Sequence, residues 1–491
     1  MQTFTFTGMK KQPIIAFLLT LIFFTANAQN EWDLRKCIEY ALANNISVKQ
    51  ADLQVRFSEL VLRQNKASQI PSLNMGINSG FSYGRSENPT TGTLQNANFF
   101  NATTGMQSGV SLFNWFALKN TIAASRLTVE ADLAQLKKVQ DDIALNVAVA
   151  YLQVLLAGEQ ANVTAVQVKQ TQSQLESTRK QVAAGKLPEL NAAELEAQLA
   201  RDSSSLVTAQ ASIQQYTLQL KALLNLDAGA PFKVATPSVE TIPLESLAEL
   251  QPETVYAQAI ANLPQQKANE LRIQSALKSV QAAKGNMYPA LSAYGNLNNR
   301  YAYFKKQPFY EQVITGYKET PNRVVVDNGS FYPVQVPVTI QGGIAGYVKA
   351  SSLSEQFKAN FGQSFGVSLQ VPLFNNRTQR TAWERSKLNV RQYQLQDEAD
   401  RQTLKQDIYK AYTDAMAALQ KYNAYSKSVE AAAKAANFAQ RRYDLNLLST
   451  YELINSQNNL LRTRIEMLQA QYDYVFKMKL LEFYKGQGIK L

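Results

Sequence analysis

The chain has no histidine and one cysteine, Cys37, among 491 residues. The commonest general base, the commonest metal ligand and the Ser–His and Cys–His nucleophile systems are therefore absent. A lone cysteine builds no disulfide framework, and Cys37 sits in a helical pattern as a small apolar residue. No Gly-rich phosphate loop follows a strand pattern. Aspartate and glutamate are scattered along helical faces, as solvated carboxylates usually are. The sequence thus points to no enzyme, no metal and no cofactor. What stands out is two turns. Gly185-Lys186-Leu187-Pro188 and Asn446-Leu447-Leu448-Ser449 each begin with a residue suited to a left-handed helix cap. The second leads into Ser449-Thr450-Tyr451-Glu452, a capping box. Leu187, Leu447 and Leu448 are apolar side chains that a solvated turn does not need. These residues either simply end helices or offer a contact surface.

The elements around the turns are long helices. Val147, Val154, Ala161, Val168, Leu175 and Val182 recur every seven residues, and Ile143, Ala150, Ala157, Thr164, Thr171 and Thr178 form a companion row. That is a left-handed coiled-coil seam over about five heptads. The helix it implies, about 117–183, would be roughly 100 Å long. The pattern predicts a second long helix at about 377–443 and shorter ones at about 33–67, 189–225, 254–286 and 450–485. Laid end to end, 189–225 with 254–286 and 450–485 with 33–67 each match a long helix. A tall bundle of two continuous and two composite helices follows. Asp33 is the expected N-cap of the first helix, and Trp32 is expected to pack on its first turn.

Residues 1–28 read as a secretory leader, with Lys10 and Lys11, an apolar run over 14–25 and the A-x-A site Ala26-Asn27-Ala28. That run is too short to cross a membrane as a helix, and no later stretch is expected to do so. The formal charge of +12 falls to +10 without the leader. Its dispersed Lys and Arg suit a solvated surface and argue against nucleic acid.

After Pro71 the period changes to two. Leu73, Met75, Ile77, Phe81 and Tyr83 alternate with small polar residues, and Met106, Val110 and Leu112 follow the same rule. Residues 41–73 overlay 259–291 without a gap, and Leu112-Phe113-Asn114 overlays Leu373-Phe374-Asn375. The chain is an internal duplication, with a first repeat at 29–226, a connector at 227–253 holding a short helix near Ser246–Leu250, and a second repeat at 254–491. The second repeat brings strands along Leu291–Tyr303 and Phe361–Val371. Between them lies an insertion, 304–360, with a strand-like run at Arg323–Asp327.

Four strands with a greasy face leave unpaired edges. If that face meets lipid, only a closed barrel satisfies the backbone. Single-chain barrels begin at eight strands, so several chains must share one. Phe81, Tyr83, Phe99, Phe100, Trp115, Tyr294, Tyr301, Tyr303 and Phe361 would then form interfacial girdles. The alternative is a soluble sandwich with its greasy faces inward.

With Trp32-Asp33-Leu34, Ala41-Leu42-Ala43-Asn44-Asn45, the helix-to-strand prolines Pro71 and Pro289, and Val371-Pro372-Leu373-Phe374 in this order, the chain resembles the TolC-type outer-membrane efflux family. The resemblance implies a homotrimer, a twelve-stranded barrel in outer-membrane lipid and a periplasmic α-helical tunnel. It implies passive efflux through docking to a periplasmic adaptor (membrane fusion protein) and an inner-membrane pump of RND or ABC type. A type I secretion duct shares the design, and a non-porous coiled-coil scaffold is the third reading. The two turns would be the docking tip. Relatives carry acids six and nine residues past the second turn's cap. Here those places hold Glu452 and Asn455, and the first turn offers Asn191, so only the first of the two acidic places is acidic in this chain. Tyr443 resembles a gate tyrosine or is an ordinary seam residue. Glu452 is either a selectivity carboxylate or only the capping-box acid.

Overall fold

The computed structural model describes residues 31–87, 94–96, 98–237, 242–305, 307–326 and 329–486. The leader at 1–28 lies outside them. The chain forms two compact bodies, one of residues up to Val61 with Ala124–Leu277 and Lys387 onward, the other of Leu62–Ala123 and Lys278–Ser386.

Helices make the first body. They are α1 (Leu34–Asn44), α2 (Ile46–Ala67), α3 (Ala117–Ala183), α4 (Glu189–Leu224), α5 (Pro252–Asn262), α6 (Pro264–Gly285), α8 (Thr378–Asp444) and α9 (Thr450–Tyr484); several continue into the second body, which holds the short α7 (Leu353–Ala359). Asp33 caps α1, its carboxylate accepting the Lys36 N–H at 2.7 Å. The expected single helices at 33–67 and 254–286 are each split. Pro264 keeps Leu263 extended (ψ 131°), and Asn45 (ψ 135°) accepts the Ser47 N–H on its side chain and so restarts the helix.

The splits fall where composite helices join, and the joins differ from those expected. Asn45 donates to the Leu223 carbonyl and Asn225 to that of Asn44, so α1–α2 abuts α4. Asn262 donates to the Lys485 carbonyl, so α5–α6 abuts α9. Each incoming helix ends in a left-handed residue, Asn225 (φ 56°) or Gly486 (φ 87°). Lengths alone could not choose between the two ways of pairing.

The duplication reappears in the packing. One core gathers Cys37, Ala41, Val147, Ala150 and Leu220; the other gathers Val255, Ala259, Ile408, Ala411 and Leu481 at the corresponding places. Cys37 therefore fills the place of a valine, and burial pushes its thiol pKa up to about 12, with the Asp33 charge adding. One window of α3 is long and apolar enough to cross a membrane by composition, contrary to expectation; half of it is buried in the protein, as the seam requires. Trp32 packs on Tyr40 and on Phe232 of the connector, its backbone bridges Val234, and the Lys36 ammonium lies 4.9 Å from its ring centroid, so it covers the first helical turn as expected and also ties the connector down. The connector also holds a 3₁₀ turn at Leu247–Glu249.

The second body is built on a four-stranded antiparallel sheet in the order β1-β4-β5-β8. The strands are β1 (Ser72–Ser82), β4 (Phe99–Phe113), β5 (Ala290–Phe304) and β8 (Gly362–Gln370). Pro71 and Pro289 stand immediately before β1 and β5, and Pro372 follows β8. The register aligns Leu73, Ser108, Gly295 and Phe365 on one face, and Asn74, Gln107, Asn296 and Ser364 on the other. Leu73, Met75, Ile77, Phe81, Phe365 and Val367 are all exposed on the greasy face. Phe100, Tyr301 and Tyr303 share it. Phe99 and Tyr294 do not: the register puts both on the polar face, with Phe99 buried against Phe304 and Ala350. β4 also begins earlier than its alternation suggested, since Asn101, Thr103 and Thr104 hide the period.

Two further hairpins join this body, β2 (Arg85–Glu87) with β3 (Leu94–Asn96) and β6 (Gln307–Val325) with β7 (Phe331–Val348); α7 (Leu353–Ala359) precedes β8. The strand-like run read at Arg323–Asp327 is the end of β6, with Asp327 outside the described residues. Strand gives way to long helix through paired left-handed residues, Trp115 and Phe116 (φ 50°, 61°) and, in the second repeat, Asn376 and Arg377 (φ 51°, 61°). Such pairs of non-glycine residues are costly.

Candidate functional site: the paired helical turns

Both turns lie in the first body and share one design. Gly185 (φ 70°) donates to the Val182 carbonyl and Lys186 to that of Gln181, both at 2.9 Å. Asn446 (φ 56°) donates to the Tyr443 carbonyl and Leu447 to that of Arg442. These are two Schellman caps, with Gly and Asn as the left-handed residue. Pro188 then starts α4 without a side-chain cap, and Ser449 starts α9 with a complete capping box. Arg179 and Glu196 pair at 2.6 Å across the first hairpin.

The expected apolar surface is redistributed. Leu447 is exposed, but Leu448 packs on Ala439, Tyr443 and Leu453, and Leu187 is half-buried. Leu190, Leu445 and Tyr451 are the further exposed apolar side chains around the turns. Lys186 is exposed, and the Asn191 N–H reaches the Pro188 carbonyl. Asn455 is exposed.

Glu452 is held by its cap. Its Oε2 accepts the Ser449 N–H at 3.1 Å and the Ser449 hydroxyl at 2.9 Å, and the Glu452 N–H donates to Ser449 Oγ. These bonds, with the Arg442 charge, hold its carboxyl below the ordinary value of 4.5. The exposed group is thus ionised near neutral pH and already occupied with its own backbone.

Tyr443 is buried and ties the two hairpins together. Its hydroxyl lies 3.0 Å from Thr178 Oγ1 of α3 and accepts from Thr450 Oγ1 of α9 at 3.5 Å. Polar contacts continue along the seam. Gln440 donates to Gln174, Gln457 donates to Gln440, and Gln198 joins Asp202 and Asn458. Thr171 donates to Asp202 at 2.6 Å. Sequence reasoning placed Thr171 and Thr178 in the seam and missed their partners. The available signal was threonine recurring where a seam prefers apolar residues.

The sequence pattern of the family described as "Outer membrane efflux protein" matches residues 37–226 and 339–484. A curated relative, the Toxin and drug export protein A of Aggregatibacter actinomycetemcomitans, is 21% identical over 280 residues; the match covers 56% of this chain and 59% of that protein's length. The Outer membrane efflux protein BepC of Brucella suis biovar 1 (strain 1330) is 20% identical over 475 residues, covering 96% of this chain and 89% of its own. Among solved structures, CusC, whose crystal structures concern folding and transmembrane channel formation, superposes with a TM-score of 0.72 at 18% identity, over 93% of this chain and 92% of that one. The chain belongs to the outer membrane efflux protein family. It is an outer-membrane protein, and its duplicated unit has the fold of the outer-membrane channel structures CusC and VceC. Its family is one of channels for efflux or export, not of enzymes.

Proposed function

We propose that three copies form the outer-membrane duct of a tripartite efflux system. The duct passively conducts substrates from periplasm to outside once a periplasmic adaptor and an inner-membrane pump of RND or ABC type have docked. The open sheet carries this reading. β1 and β8 are its outer strands and run in opposite directions, so β8 of one copy continues the antiparallel alternation onto β1 of the next. A greasy face in lipid leaves no other way to satisfy those edges. Three copies supply twelve strands.

In this reading the two turns meet the adaptor through Lys186, Leu187 and Pro188, through Leu447, Leu448 and Ser449, and through the exposed Leu190, Leu445 and Tyr451. Gly185 and Asn446 fix the backbone there. Tyr443 holds the hairpins together behind the turns. Three Glu452 carboxylates repel one another and favour cations, with Asn191 and Asn455 as uncharged neighbours. The first relative's name, toxin and drug export, favours a second reading as a type I secretion duct. A non-porous scaffold leaves the sheet edges unexplained.

The test is single-channel conductance of the purified protein in planar bilayers, wild type beside Glu452→Gln. Cation-selective current that loses selectivity in the variant supports both duct and constriction. Unchanged selectivity removes Glu452 from the site. A trimeric, inserted protein that stays silent even as Tyr443→Ala sinks the duct.

A further inference from the structure

The β6–β7 hairpin has no part in the channel reading above. It is a two-stranded antiparallel ribbon, and such a ribbon alone in water is marginally stable at best. Side chains alternate between its faces, and the register pairs Val313 with Ile340 and Val324 with Tyr332. One face therefore carries Val313, Val324, Tyr332, Val336, Val338 and Ile340, all exposed, together with the exposed Lys318 opposite Val336. The other is mixed: it exposes Ile314, Tyr317, Val325 and Phe331 but interrupts them with Glu319 opposite Gln335 and Arg323 opposite Pro333. Pro333 and Pro337 share one parity and have no N–H. They fit only where the strand's donors point away from β6, so the outer edge of β7 lacks two donors and is a poor template for another strand. The ribbon is built to associate by its apolar face.

Its root is fixed to the sheet. Only Lys305 and Lys306 separate β5 from β6. β8 pairs with β5 no further than Asn298, and beyond that point the α7 segment covers the open edge. The Gln356 amide donates to the Ala302 carbonyl at 2.8 Å and accepts the Ala302 N–H at 2.9 Å, in the manner of a neighbouring strand. Asn360 donates to the Arg300 carbonyl at 2.6 Å.

On a twelve-stranded barrel this root recurs every four strands. At about 4.8 Å per strand, before tilt, neighbouring roots stand roughly 20–25 Å apart along the rim. Each ribbon is on the order of 60 Å long at ~3.3 Å per residue. Three apolar faces tethered that closely meet at effective concentrations in the millimolar range, where even weak contacts are populated. The roots lie at the sheet end opposite the helix junctions, which in an outer-membrane channel is the outer mouth. We propose that the three hairpins of one trimer pack these faces against one another above the barrel mouth, the partner of each being a second copy of this chain. This rests on the trimeric-barrel reading.

Disulfide trapping in the full-length protein tests it. Cys37 is buried, so native background is low. Val336→Cys and Val338→Cys sit on the apolar face and Gln335→Cys on the other. Mass measurement of the uncross-linked protein in detergent comes first; a monomer there overturns the trimer reading itself and the hairpin proposal with it. In trimers, oxidation in lipid is expected to link chains at Val336→Cys or Val338→Cys about tenfold more than at Gln335→Cys. Equal or absent linkage at all three positions overturns the proposal while leaving the channel intact. Strong quenching of Val338→Trp fluorescence by brominated lipid also overturns it, by putting the face on the membrane.

Discussion

Replacing Tyr443 by Phe removes one hydroxyl and keeps the ring against Ala439, Leu448 and Leu453. The lost contact is the 3.0 Å bond to Thr178, since the 3.5 Å approach of Thr450 is at the limit of a hydrogen bond. Both threonines are buried, so an orphaned hydroxyl would cost about 1–3 kcal/mol. Thr178, however, can turn to the carbonyl four residues back, as Thr164 does to Gln160 at 2.8 Å. The lower end, about 1 kcal/mol per chain, is therefore expected. If three chains loosen together, roughly 3 kcal/mol shifts the resting equilibrium by about two orders of magnitude. Single-channel open probability should rise accordingly, with a small fall in Tm. A double-mutant cycle with Thr178→Val isolates the bond, because removing both partners leaves no orphan. Strictly additive single effects, or an open probability within twofold of wild type, would refute the claim that this bond closes the hairpins.

Further outcomes follow from local backbone and side-chain geometry. Gly185 has open space where a methyl would stand but a φ of 70°, so Gly185→Ala should cost only the left-handed backbone term, about 1–2 kcal/mol in denaturant titration. Asn446→Gly, at φ 56°, should cost nothing or stabilise. Glu452 has a depressed folded pKa, so its contribution is present above the ordinary value of 4.5 and disappears as pH falls through the lower folded value. Wild type should lose Tm in that acid window, and Glu452→Gln should lack that component; parallel Tm–pH curves would refute it. A methyl on Gly285 would stand 2.9 Å from the Trp115 carbonyl oxygen and the Ala117 Cβ, so Gly285→Ala should cost about 1–3 kcal/mol by thermal unfolding, whereas Gly76→Ala, with nothing within 4 Å, should be tolerated sterically.

Periodicity made the long helices and the greasy strand faces legible, because a face follows directly from spacing. It also placed the two turns, since a left-handed cap is written in Gly185 and Asn446. Periodicity names a face and not a partner, and the differences between expectation and structure follow from that. Tyr294 and Phe99 are aromatic but one residue out of phase with the greasy face, so composition suggested a girdle where register says otherwise. Helix length is compatible with either pairing, whereas Asn45, Asn225 and Asn262 carry the joins. Pro264 marked a break that helical periodicity concealed. The paired left-handed residues at Trp115-Phe116 and Asn376-Arg377 have no glycine to announce them, and bulges blur the alternation of β6.

The duplication narrows what the polar seam can be for. Where the repeats need only stability they use matching apolar residues, Val147 and Ile408, Ala150 and Ala411, Leu220 and Leu481. Near the turns the match fails: Thr178 corresponds to Ala439 and Gln440 to Arg179, and Thr178 instead meets Tyr443 while Gln440 meets Gln174. An apolar seam would hold two hairpins more simply, because buried polar groups return little net free energy and penalise every register in which they go unpaired. The polar contacts therefore set the alignment of one hairpin on the other more than the strength of their association. A bond of that kind can be broken at small cost and remade only in register, which suits the duct proposed above.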